Sequence, residues 1–186
     1  DFVYQKQSDA SLRQEAQVRM AQLNFDLKNI EAANKNFEMA LGLHNSACDT
    51  TVCAESAKAL RQFVVGWNRL ETSKASEALL KAYTDYLAVF PQDEEMYVWG
   101  AQAASTVENH VLAMQWNQKA AEVALSTMAT LEPAKKAEAT QKIEKYLLLS
   151  LESAEKSKQA PLLQVAQDNY LAKSLTKEKA FDVAYQ

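Results

Sequence analysis

Two cysteines, Cys48 and Cys53 in the run CDTTVC, are the first candidates for chemistry, with His44 shortly upstream. If Asp49 caps a helix that starts just after it, Cys48 falls at N′ and Cys53 at N4. A hydrophobic staple normally joins those two positions. A disulfide between them would be a covalent staple of suitable geometry, and it implies an oxidising compartment such as a periplasm. Two thiols buried as small hydrophobes are the other reading of the same pair. A metal site from His44, Cys48, Asp49 and Cys53 fits poorly, because its ligands lie too close together for paired zinc knuckles. Redox catalysis fits poorly too, since four residues rather than two separate the thiols.

The rest of the chain offers little to a catalyst. It has two histidines, His44 and His110, and neither stands in a larger motif. There is no HExxH, no GxSxG, no phosphate-cradling glycine loop and no dinucleotide fingerprint. Glu94 and Glu95 could in principle do acid–base work. They follow Pro91 and Asp93, however, where a helix begins and its dipole favours negative charge. His110 beside Asn109 reads as a first-turn residue. The expectation is a protein that is not an enzyme, with no catalytic residue, no cofactor and no metal.

The elements that would position any site are helices. Three Gly and three Pro in 186 residues are too few for the frequent turns of a sandwich or barrel. Ala, Leu, Glu, Lys and Gln dominate, and all favour helix. A hydrophobic content of 48% excludes wholesale disorder, and no apolar run is long enough to cross a bilayer. The net charge is −4 and the basic residues are scattered among acids. No stripe is therefore available to neutralise a nucleic-acid backbone, nor is there a basic amphipathic helix for a membrane surface. The chain starts at Asp1 without a leader pattern, which reads as a processed protein or an excised piece.

Hydrophobic periodicity predicts nine helices, near 10–27, 30–44, 50–70, 74–90, 93–106, 109–130, 134–157, 161–174 and 178–186. Asp49, Ser73 and Asp93 are good N-cap types, and Pro133 and Pro161 suit first turns. Gly42, Gly66 and Gly100 all fall inside these helices, where close packing is the expected reason. Trp67, Trp99 and Trp116 have apolar neighbours, so the core is their expected home; a Trp exposed on a groove would instead be a binding hot spot.

The chain also repeats itself. Residues 20–41 read MAQLNFDLKNIEAANKNFEMAL, with Ala21, Ala33, Phe37 and Ala40 spaced by 12, 4 and 3. Eighty residues on, the spacing recurs at Ala101, Ala113, Asn117 and Ala120, and a looser copy has Ala154, Ala166 and Tyr170. Tyr83, Tyr86 and Pro91 fit the end of an intervening unit. The pattern resembles a degenerate tetratricopeptide repeat, departing from it at Asn24, where the family has Tyr, and at Asn45, where it has Pro. Small residues let two helices of a repeat touch, and the aromatic fills the gap to the next repeat.

The resemblance implies one all-α domain over residues 1–186: a right-handed α-α superhelix of about four helical hairpins plus a partial terminal helix. The repeats would lie at 10–45, 50–91, 92–130 and 134–175, with 176–186 opening another. It also implies a protein-binding scaffold whose partner lies along the first helices. By register, Glu15, Val18, Gln22 and Phe25 would line that surface in one repeat, and Glu95, Val98, Gln102 and Ser105 in another. Repeats that clamp carboxylate tails use Lys, Asn and Arg at such positions, so this acidic, amide-rich surface suits a neutral or basic protein or peptide. With export implied by the cysteine staple, the expected setting is a bacterial envelope assembly. A structural spacer in a longer solenoid and a module sensing a small peptide or muropeptide are the alternatives, and a cytoplasmic setting is the alternative to the periplasm.

Overall fold

The computed structural model describes residues 10–47, 50–71 and 73–176. Cys48, the Cys53 side chain and the helix expected at 178–186 lie outside the described residues. The described chain is all-α, with eight helices and no strand among the described residues. They are α1 (Ala10–Asp26), α2 (Ile30–Ala47), α3 (Thr50–Leu70), α4 (Glu77–Val89), α5 (Glu94–Thr106), α6 (His110–Met128), α7 (Pro133–Ser157) and α8 (Ala160–Lys173). No helix among them is long and apolar enough to cross a membrane.

Local chemistry sets most of the helix starts. Asp93 accepts from the Met96 amide at 3.3 Å and Asn109 from the Leu112 amide at 3.1 Å, each capping the helix that follows. His110 is thus the first residue of α6. Pro133 and Pro161 stand in the first turns of α7 and α8, where a missing N–H costs nothing. The fourth helix begins later than the sequence suggests, with Ser76 rather than Ser73 as its cap. The cause lies in the preceding loop. One oxygen of Glu71 accepts from Trp67 Nε1 at 2.7 Å and from the Ser76 hydroxyl at 3.1 Å, and the other accepts from the Ser76 amide at 2.6 Å. That carboxylate holds residue 76 at the helix mouth.

The chain divides into two compact units, Asp1–Phe90 and Pro91–Gln186. In the first, α1 packs on α2 and α3, α2 on α3 and α4, and α3 on α4. Gln14 near the start of α1 donates to the Ala40 carbonyl near the end of α2, so this pair is antiparallel. In the second unit, α6 packs on α5, α7 and α8, and α7 on α8.

Every signature position of the three sequence copies is buried. Ala21, Ala33, Phe37, Ala40, Ala101, Ala113, Asn117, Ala120, Ala154, Ala166 and Tyr170 are all 5% exposed or less. The alanines sit where consecutive helices meet, as close approach requires. The two clearest copies also share a turn. Lys28 and Glu108, at matching register, have φ of 60° and 59°. The amides of Lys28 and Asn29 bond the carbonyls of Phe25 and Asn24, and those of Glu108 and Asn109 bond Ser105 and Ala104 in the same way. A left-handed residue that closes the last turn is a standard helix stop, but glycine is its usual occupant and neither copy has one.

Two glycines are not there for close packing. A methyl group at Gly42 or Gly66 would meet nothing within 4 Å, so crowding explains neither residue.

Candidate functional site

The first unit is built around touching rings. Phe63 of α3 lies with its centroid 4.9 Å from Phe37, 5.7 Å from Phe25 and 5.9 Å from Trp67. Phe25 and Trp67 are 5.3 Å apart. Phe37 of the first hairpin therefore reaches the opening helix of the second. Phe25, which the register assigns to a binding surface, is 9% exposed and faces these rings instead, leaving a partner little to touch. The reason is tertiary: α3 crosses α1 at that level, and an aromatic there is drawn out of water.

One turn and more toward the start of α1, the same two helices stand apart. Glu15, Val18 and Arg19 of α1 and Glu55, Ser56 and Ala59 of α3 line a cleft of about 260 Å³. Ser56 is buried and Val18 and Ala59 are half-buried, while Glu15, Arg19 and Glu55 are exposed on the rim. Glu15 is paired with Arg19 one turn along. The small side chains Ser56 and Ala59 keep α3 from filling the gap. Drug-sized ligands occupy roughly 300–1,000 Å³, so a hollow of this size suits one side chain of a larger partner. Gln22, also assigned by register, is exposed and donates to Asp26 at 2.9 Å.

The matching residues of α5 are placed differently. Glu95, Gln102 and Ser105 are exposed and Val98 is half-buried, and Ser105 returns its hydroxyl to the Ala101 carbonyl at 2.9 Å. The cleft described in this unit lies instead along α7. It has a volume of about 280 Å³ and is lined by Thr140, Gln141, Glu144, Lys145, Leu148, Leu149 and Thr176. Its Glu144 was not legible as special in the sequence, because its partners lie 26 to 32 residues away.

The remaining candidates are structural in their surroundings. His44 Nδ1 lies 3.1 Å from Gln14 Nε2, its ring meets Phe90 edge-on at 4.7 Å, and burial lowers its pKa. Glu94 accepts from Tyr146 at 2.8 Å and pairs with Lys142 at 2.6 Å. Trp67 and Trp116 are buried, and Trp99 is half-buried. Among the described residues no group of three His, Cys, Asp or Glu side chains is placed to hold a metal ion.

In comparisons with known proteins, no family model matches the chain, no curated protein matches it, and no solved structure matches it either.

Proposed function

We propose that this chain is a non-catalytic, tetratricopeptide-like scaffold that receives a side chain of a neutral or basic partner protein in the cleft between α1 and α3. The observation that carries the reading is the placing of Glu15 and Val18. Repeat register alone assigns them to a partner surface, and they line a cleft with Glu55 on its opposite rim. A half-buried floor of Val18 and Ala59 accepts an aliphatic stem; with Arg19 paired to Glu15, the rim keeps one net negative charge, which favours a neutral or cationic head over an anionic one. The shared turn geometry at Lys28 and Glu108 supports reading α1–α2 and α5–α6 as copies of one hairpin. On this reading the hairpins stack as a superhelix, and the chain works in an envelope assembly if Cys48 and Cys53 form their staple.

Photo-crosslinking in the native host tests the site. Probes at Glu15 and at Glu55 are expected to capture the same protein. Glu15→Lys combined with a probe at Glu55 should abolish that adduct. A folded protein that yields no adduct at either position, or whose adduct survives the charge reversal, would sink the groove reading. A spacer between other domains would then be the better account. That second reading already draws some support from the second unit, whose described cleft takes no wall from Glu95, Val98, Gln102 or Ser105.

A further inference from the structure

Glu144 is only 3% exposed, and among the described residues its carboxylate is held by uncharged donors. Burying a carboxylate without compensation is costly, and uncharged donors must supply what water gave. Four do so here. Oε2 accepts from the Tyr170 hydroxyl at 3.0 Å. Oε1 accepts from the Ser174 hydroxyl at 2.9 Å and from the amides of Leu175 and Thr176 at 2.6 and 3.1 Å. Tyr170 lies in the last turn of α8, while Ser174, Leu175 and Thr176 are the residues that follow it. One side chain in the middle of α7 therefore collects the end of a helix and the chain beyond.

We infer that Glu144 is a latch: it straps residues 174–176 against the flank of α7, and the cleft that Glu144 shares with Thr176 keeps its wall only while the strap is fastened. The geometry favours this over a passive cap. A cap uses a side chain of the helix being ended or of its flanking residues, whereas Glu144 belongs to the neighbouring helix. The Leu175 and Thr176 amides both bond to Glu144, and the Thr176 amide also reaches Ser174 Oγ at 3.3 Å, so releasing the carboxylate removes the Leu175 contact and leaves Thr176 only that longer local bond. Beside the latch, α7 and α8 also bury Ile143, Leu147, Ala154 and Ala166, apolar groups that do not need the carboxylate.

Protonation is the natural release. Burial alone would raise the carboxyl pKa, but the donors Ser174, the Leu175 amide, Tyr170 and the Thr176 amide outweigh it and hold it below the ordinary glutamate range. A depressed carboxyl stabilises the latched form above its unfolded pKa, and that contribution is lost as pH falls through the lower folded value. Other ionisable groups stand near these contacts among the described residues. Tyr170 faces the carboxylate from α8, and Lys145 of α7 shares the cleft. Lys173 of α8 pairs with Glu122 of α6, and Lys142 of α7 pairs with Glu94 of α5.

Hydrogen exchange on the whole chain tests the latch. In Glu144→Gln the charge is gone, and an amide nitrogen at the Oε2 position obliges the Tyr170 hydroxyl to turn from donor to acceptor. Exchange at the Leu175 and Thr176 amides should then rise at least about tenfold, the factor expected for losing one charge-assisted hydrogen bond. Protection at Ile143 and Leu147 should stay as in the wild type. If Glu144→Gln fails to fold, the wild type supplies the test: corrected for intrinsic rates, exchange at those two amides should quicken as pH falls below the ordinary glutamate range. Where the variant folds, that pH dependence should be absent from it. Unchanged protection of Leu175 and Thr176 in the variant, or a wild-type profile flat with pH, would overturn the latch. So would a variant in which α7 and α8 lose protection together with the strap.

Discussion

Phe37 and Asn117 occupy the same register in two copies of one hairpin, and both are buried, but they belong to differently built units. Around Phe37 the first unit is a run of rings, with Phe25, Phe63 and Trp67 in contact. Around Asn117 the second unit lines its core with small side chains: nine alanines are buried there against five in the first, among the described residues. It then ties them with long-range carboxylate contacts: Glu94 to Tyr146 and Lys142, Glu122 to Lys173, and Glu144 to the end of α8. Rings fill wide gaps and tolerate some misfit, whereas alanine contacts leave little room and need polar ties at the margins. The same helical register can thus be held by two mixes of interaction, ring packing dominating in one unit and carboxylate ties in the other, although Glu38 and Lys81 also tie α2 to α4 in the first.

The sharpest way to break the comparison is to remove a ring. Phe63→Ala deletes a ring that touches Phe25, Phe37 and Trp67 together, and should cost the first unit about 3–5 kcal/mol. Trp67 emission should shift to the red in denaturant well before helices of the second unit lose exchange protection. Simultaneous loss in both units would show that they do not hold themselves separately.

A middle-sized effect should come from alkali and from Glu94. Burial raises the pKa of Tyr83 in the first unit, while Arg61 pulls it down slightly. Burial raises that of Tyr146 in the second, and Glu94 raises it further. A tyrosine held protonated stabilises fully below its unfolded pKa, near 10, and that contribution is lost as pH rises through the higher folded value. Glu94→Gln should therefore lower the pH at which Tyr146 ionises, read by ultraviolet titration, and leave Tyr83 where it was. The variant should be less stable by roughly 1–2 kcal/mol at neutral pH, through loss of a charge-assisted hydrogen bond. An unchanged tyrosine titration would mean that the contact carries no weight.

The smallest effect would sharpen the likeness rather than the difference. Lys28 and Glu108 both sit in the left-handed region that glycine enters freely. Lys28→Gly and Glu108→Gly should each stabilise by about 0.5–1 kcal/mol, by relief of the Cβ clash. Equal gains, read as shifts in denaturation midpoint, would mark the two turns as energetic equivalents. A loss at either would mean that its side chain contributes more than the backbone strain costs.

Helix type and most helix positions were legible in the residues, because caps, prolines and the 3.6 period act within a few positions of themselves. Asp93, Asn109 and Pro133 do locally what their types allow. The small-and-aromatic signature was legible too: spacings of 12, 4 and 3 fixed which residues would be buried. The late start of α4 was not, since Glu71 rather than propensity decides it. Nor was the fate of Phe25, because register gives a face and only the crossing of α3 says whether that face stays open.

The amino-acid sequence by itself determined an all-helical chain, the positions of its hairpin contacts and the lack of a recognisable catalytic motif. Tertiary structure alone decided that Glu15 and Val18 meet Glu55 across a cleft, that Phe25 is spent on the core and that Glu144 holds the end of α8. The physical reason is range. Helix propensity, capping and periodicity are encoded over three or four residues, whereas a cleft or a buried carboxylate depends on groups tens of residues apart, whose meeting is fixed only when the helices pack.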